Sequence, residues 1–193
     1  ISTYLVSILT VTLLFLGVAS YQTRTEKAIE TSSNAEKLLP IYKVKTDEKK
    51  VALTMNCAWN ADDIDKILEV LKSNNVKITF FMVGDWIEKY PEAVKKISDA
   101  GHEAFIRSAK SASHVPIQWN LDTVDYTGIT GDEMWKRLEN KLSGGSIILM
   151  HNGTKHTADS LDMLIKNIKS KGYDIVTVSN LIYKDSYYID NNV

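Results

Sequence analysis

Two hydrophobic regimes divide this chain. Residues 1–23, ISTYLVSILTVTLLFLGVASYQT, carry no charge and show no polar face. A bilayer-spanning helix needs about 17–25 apolar residues, whereas a buried amphipathic helix would interrupt the run with polar positions. Residues 1–20 are therefore expected to form a signal-anchor or transmembrane segment. The small-residue stretch Gly17-Val18-Ala19 before Ser20 also fits a leader cleavage site, but the run outlasts a usual leader core and favours an uncleaved anchor. Either reading places the rest of the chain outside the cytoplasm, attached to the cell membrane or secreted. Residues 21–48 turn polar, with a Ser-Ser-Asn break and Pro40, and read as a linker.

From residue 49 the pattern changes to short apolar runs alternating with helical periodicity. Strands are expected at 51–55, 76–83, 103–106, 117–122, 146–151 and 174–178, since short runs rich in Val, Ile and Phe suit strands buried on both faces. Between them fall helices. Ile64, Ile67, Leu68 and Leu71 share one face, with Asn60 as the expected cap. Pro91 opens a second helix and Gly101 follows its end. Thr130 and Glu133 form a capping box ahead of Met134, Trp135, Leu138 and Leu142. Leu161, Leu164, Ile165 and Ile168 mark a last helix that stops at Gly172. Residues 107–116 have neither period and read as loop. Repeated strand–helix units predict an α/β fold with a parallel sheet covered by helices, open or closed into a barrel.

Composition narrows the function classes. A net charge of −1 leaves no basic footprint for nucleic acid. The single cysteine, Cys57, excludes an internal disulfide framework. In such folds the reactive groups sit at the C-terminal ends of the strands. Those ends carry Asn56-Cys57-Ala58-Trp59, Gly84-Asp85-Trp86, Asp122 to Tyr126, and His151-Asn152. A histidine at one strand end and an aspartate at another suit general acid catalysis, with the carboxylate orienting the proton donor. A hydrogen-bonded structural histidine is the plainer alternative. Among the aromatics, Trp59 and Trp86 are placed to line a sugar groove, while Trp119 and Trp135 fit a core.

Three stretches carry a family resemblance: KKVALTMNCAWNADDIDKILEVLKSNNVKITFFMVGDWIEKYPEAVKKISDAGHE, IQWNLDTVDYTG, and GGSIILMHNGTKHTADSLDMLIKNIKSKGYDIVTVSNLI. Together they cover nearly all of residues 49–183. They resemble the polysaccharide deacetylase family (the NodB homology domain, or carbohydrate esterase family 4), in its spore-associated, membrane-anchored branch. The resemblance implies a distorted (β/α) barrel over 49–185, followed by a tail, 186–193. It also implies a divalent metal, usually zinc, held by two histidines and an aspartate. The metal activates water, a second aspartate takes the proton, and a histidine protonates the leaving amine of an N-acetylated glycan such as peptidoglycan or chitin.

Carried over residue by residue, the match is split. Asn56 stands at the base position, where an amide cannot accept the proton. Cys57 stands at the metal-aspartate position, and Arg107 and Ser111 stand where the two metal histidines belong. The family's Arg-x-Pro-Tyr motif is missing, with several dozen residues around it. Asp125 matches the residue that tunes the catalytic histidine, and Tyr126 replaces a tryptophan. His151 matches the general acid and Leu149 the acetyl-pocket wall. The implied protein is a deacetylase-like component of the cell envelope with impaired hydrolysis and no bound zinc. Its alternatives are a non-catalytic glycan-binding remnant, or a domain destabilised by the internal gap. A rebuilt zinc site from Cys57 and His114, with His102 or His156, is a further possibility that no usual ligand spacing supports.

Overall fold

The computed structural model describes residues 39–107 and 116–190. The expected membrane segment, most of the expected linker, Ser111 and His114 lie outside the described residues. Six strands form one sheet: β1 (Lys50–Cys57), β2 (Thr79–Val83), β3 (Glu103–Arg107), β4 (Leu121–Asp122), β5 (Ile147–His151) and β6 (Asp174–Val176). Every pairing between them is parallel. The helices are α1 (Ile64–Ser73), α2 (Gly84–Lys89), α3 (Pro91–Asp99), α4 (Gly131–Leu138), α5 (Thr157–Ser170) and α6 (Val178–Leu181).

β1 is the axis of the fold because Val51 to Met55 are buried without a break, which only a strand covered on both faces permits. The strand order is β3-β2-β1-β5-β4. Ala52 pairs with both Ile147 and Val176, so β6 lies on the edge of β1 opposite β5. Farther along, Thr54 to Cys57 hand that same edge to β2. Among the described residues no β3–β4 pairing closes the sheet, so the ladder is an open parallel path.

Alternation along β1 divides the core in two. Val51, Leu53, Met55 and Cys57 face Ile64, Ile67 and Leu71 of α1, Met134 and Leu138 of α4, and the apolar face of α5. Ala52 faces the other way, with Ile147, Val178, Leu181, Ile41 and Val44. Fully burying side chains such as Leu53 and Met55 stabilises the fold by about 1.5–3 kcal/mol each.

Several boundaries differ from the sequence reading for identifiable reasons. Asn60 does not cap α1, which starts later, after Asp63; its Oδ1 instead accepts from the Asp62 N–H in a local turn. The strand expected at 117–122 shrinks to two residues. There the Asn120 Oδ1 accepts the Ile147 N–H, so a side chain does the work of the ladder. The last strand ends at Val176 because Val178 opens α6, its N–H donating to Thr79 Oγ1. The capping box forms as expected: Thr130 Oγ1 accepts from the Glu133 N–H, and Glu133 Oε2 accepts from the Thr130 N–H. Pro91 opens α3 at its first turn, also as expected. The short helix α2 was not foreseen.

Candidate functional site

At the C-terminal end of β5, His151 meets Asp125, which is delivered by a sharp turn after β4. Val124 adopts a left-handed backbone (φ +59°), unusual for a β-branched residue. Its N–H is held by Asp122 Oδ1 at 2.8 Å. A single 3₁₀ turn (Asp125–Thr127) follows, and Asp125 points inward with no solvent exposure. Its Oδ1 lies 2.8 Å from His151 Nδ1, and its Oδ2 accepts from the His151 backbone N–H at 2.7 Å and the Thr157 hydroxyl at 2.6 Å. A buried carboxylate supplied with three donors is fully satisfied. The bond to Nδ1 fixes the imidazole orientation and leaves Nε2 as the free nitrogen. The His151 side chain keeps 13% exposure. The pairing read from the sequence, Asp125 with His151, is therefore assembled.

Two aromatic rings lie against this imidazole. Trp59 lies 5.3 Å from it, centroid to centroid, and Tyr126 lies 5.5 Å away with its ring edge-on. Both are about half exposed, at 48% and 54%. An exposed indole and phenol next to a polar tip present apolar faces suited to sugar rings. Leu149 is buried at 2%, two residues before His151 and so on the same face of β5. It is pinned by Thr123, whose hydroxyl donates to the Leu149 carbonyl.

Asn56 is the Cα partner of His151 in the β1–β5 ladder. The two side chains leave the sheet side by side. Asn56 is partly buried, and its amide makes no hydrogen bond to any described residue. Cys57 is turned the other way: it has no exposure and belongs to the core beneath α1. Burial, aided by the nearby Asp63 carboxylate, pushes its thiol pKa above the ordinary value. A zinc ligand must be a thiolate, so a protonated, inward-facing Cys57 does not fit that role. Among the described residues no three His, Cys, Asp or Glu side chains converge on a common point. These donors do not fit the family's dication.

Other candidates fall into structural roles. Trp86 does not line a groove; it is 2% exposed and its Nε1 donates to the Asn60 carbonyl. His102 is buried, accepts the Ile78 N–H at Nδ1, and packs edge-on against Phe80. Burial, with Lys77 adding to it, lowers its pKa to about 4. His156 precedes α5 and makes no capping bond.

Thr157 and Asp63 escaped the sequence reading, and Asn152 enters it only as a strand end. Thr157 holds Asp125 from the first position of α5. Asp63 accepts from the Gly153 N–H at 2.7 Å, and the Asn152 amide donates to both Asp63 and the Asn60 carbonyl. These bonds tie the Trp59 loop to the loop after His151. No periodicity marks such residues, because the bonds join segments 32 positions apart for Thr157 and about 90 apart for Asp63 and Asn152.

The sequence matches the polysaccharide deacetylase profile over residues 43–141. It is 28% identical to YlxY of Bacillus subtilis, an uncharacterized protein, over 74% of this chain and 60% of that one. It is 26% identical to a peptidoglycan-N-acetylglucosamine deacetylase of Bacillus cereus, over 70% of this chain and 69% of the relative. Among solved structures, BA3943 of Bacillus anthracis, described as a CE4 family pseudoenzyme, aligns with a TM-score of 0.67 at 26% identity. That alignment covers 75% of this chain and 69% of the other. On the profile match and the shared parallel-sheet fold, the chain belongs to the polysaccharide deacetylase family.

Proposed function

We propose that this protein recognises N-acetylated glycan of the peptidoglycan type at the Trp59–His151–Tyr126 surface and does not hydrolyse its amide bond at a useful rate. The observation that carries this reading is the division of the site between two neighbouring strands. On β5 the acid half stands complete, with Asp125 orienting His151. On β1 the Asn56 amide occupies the position of the base, and Cys57 is committed to the core. Loss of a general base costs about 10²–10⁴ in rate. Without a held dication the water loses its activation too, and both defects fall on the same step.

The exposed Trp59 and Tyr126 rings do not depend on a metal, so recognition survives the loss of chemistry. The B. cereus relative supports the choice of N-acetylglucosamine as the sugar. The uncharged stretch at 1–20 supports a membrane-anchored place in the envelope, with a role in sporulation suggested by the family branch. The open sheet is in turn the remnant of a distorted barrel, shortened between β3 and β4.

Titration of N-acetylglucosamine oligomers into the protein in the presence of a chelator tests the reading. Saturable binding that weakens in Trp59→Ala supports it, and absence of binding contradicts it.

A further inference from the structure

The end of the sheet opposite His151 carries a second cluster of exposed aromatic rings. The entering segment (residues 41–45) and the segment that follows α6 (residues 182–190) line a cavity of about 480 Å³. Tyr183, Tyr187 and Tyr188 belong to that lining, with Lys43 and Lys45. All three rings are exposed, Tyr188 at 82%, and so is the adjoining Tyr42. Single exposed aromatics need no explanation, but a cluster of them rimmed by charge marks an interaction site. The cluster is also fixed in place. The Val44 N–H donates to the Gly145 carbonyl at 2.9 Å, and the Tyr183 hydroxyl donates to the Lys45 carbonyl at 3.2 Å. Lys43 bridges to Ser146, just before β5, whereas His151 ends that strand about 16 Å farther along.

The chain upstream of the described residues joins the domain at this same place. Residue 39 is the first described, two positions before Ile41. Before it run the uncharged residues 1–23 and the polar residues 24–38, and the latter reach at most about 50 Å when fully extended. With residues 1–23 read as a membrane anchor, this is the end of the domain tethered closest to lipid. A short tether gives an effective concentration on the order of mM, so even a weak contact is populated.

The chemistry of the cluster suits that surface. Tyrosine joins an apolar ring to a polar tip and is enriched at membrane–water interfaces. Lysine lays its stem along apolar surface and offers its ammonium to phosphate. The two segments carry Lys43, Lys45 and Lys184 against Asp185 and Asp190, a basic balance that complements anionic headgroups. We propose that Lys43, Lys45 and the Tyr183–Tyr188 segment form a docking face for anionic lipid, which turns the Trp59–His151–Tyr126 surface away from the bilayer. The inference rests on the membrane-anchored reading above and adds an orientation to it.

The test uses the full chain reconstituted into vesicles of phosphatidylcholine, with or without phosphatidylglycerol. A fluorophore is attached through Ser186→Cys beside the cavity or through Lys155→Cys in the exposed loop after His151. Buried Cys57, with its raised thiol pKa, does not compete for the label. Quenching by a lipid that carries a headgroup quencher then reports which end of the domain lies against the bilayer. Position 186 is expected to be quenched and position 155 spared, on phosphatidylglycerol vesicles above all. Lys43→Gln and Lys45→Gln should each lower the ratio of docked to undocked domain by about fivefold.

Equal quenching at the two positions overturns the docking face, as does quenching at 186 that ignores lipid charge or both lysine substitutions. In either case a chain that still floats with the vesicles leaves the anchored reading standing. A chain that does not float with them removes both.

Discussion

Asn56 and His151 stand directly opposite each other in the parallel β1–β5 ladder and project from the same face of the sheet. One is a neutral amide, and the other an imidazole oriented by a buried carboxylate. One strand position farther, alternation sends Cys57 into the opposite core. Neighbouring positions of β1 thus serve opposite faces, Asn56 beside His151 and Cys57 within the core.

Thr157 is the support of the Asp125–His151 pair. Thr157→Val keeps the volume and removes the donor to Asp125 Oδ2, leaving a buried acceptor short of one bond. The expected cost is about 1–3 kcal/mol of folding stability. Chemical denaturation measures it, and a midpoint unchanged from the parent would contradict the role.

Trp59 and Tyr126 are expected to carry affinity without carrying stability, since both are half exposed. Trp59→Ala and Tyr126→Ala should each weaken oligomer binding by about two- to tenfold, matching the 0.5–1.5 kcal/mol typical of aromatic contacts. Their melting temperatures should barely move. Trp86→Ala is the contrasting case. That ring is core, and its loss should destabilise the fold by about 3–5 kcal/mol. Calorimetric titration and thermal melts on the same three variants separate the two behaviours.

His102, immediately before β3, gives the fold an acid sensitivity. Its folded pKa of about 4 lies below the ordinary value of 6.5, so the unfolded chain takes up the proton first as pH falls. The stability tied to a neutral His102 is fully present above pH 6.5 and is lost progressively down to about pH 4. In His102→Gln the drop in stability across that window should be shallower than in the parent. Denaturation midpoints collected between these pH values provide the check, and parallel curves would contradict it.

The parallel α/β fold was legible because burial on both faces forces continuous apolar runs such as Val51 to Met55, and because Thr130 with Glu133 and Pro91 mark helix starts by local chemistry. The strand ends alone offered a histidine and several aspartates, and the family resemblance singled out Asp125 as the partner of His151. Details that depend on bonds between distant segments were not. Asn120 replaces a ladder bond of β5 with its side chain, Thr157 reaches Asp125, and Asp63 collects donors from the loop after His151. Cys57 is the instructive case. Motif position alone made it a metal-ligand candidate, whereas the two-residue period of β1 puts it in the core with Val51, Leu53 and Met55.

We infer that the amide at position 56 and the buried thiol at position 57 supply neither the base nor the metal ligand needed to activate water against an amide bond. The most direct measurement is acetate release from fully N-acetylated glucosamine oligomers, with and without added zinc. No release above the buffer rate is expected in either condition, with the oligomers still bound. Zinc-dependent turnover that a chelator abolishes would contradict it.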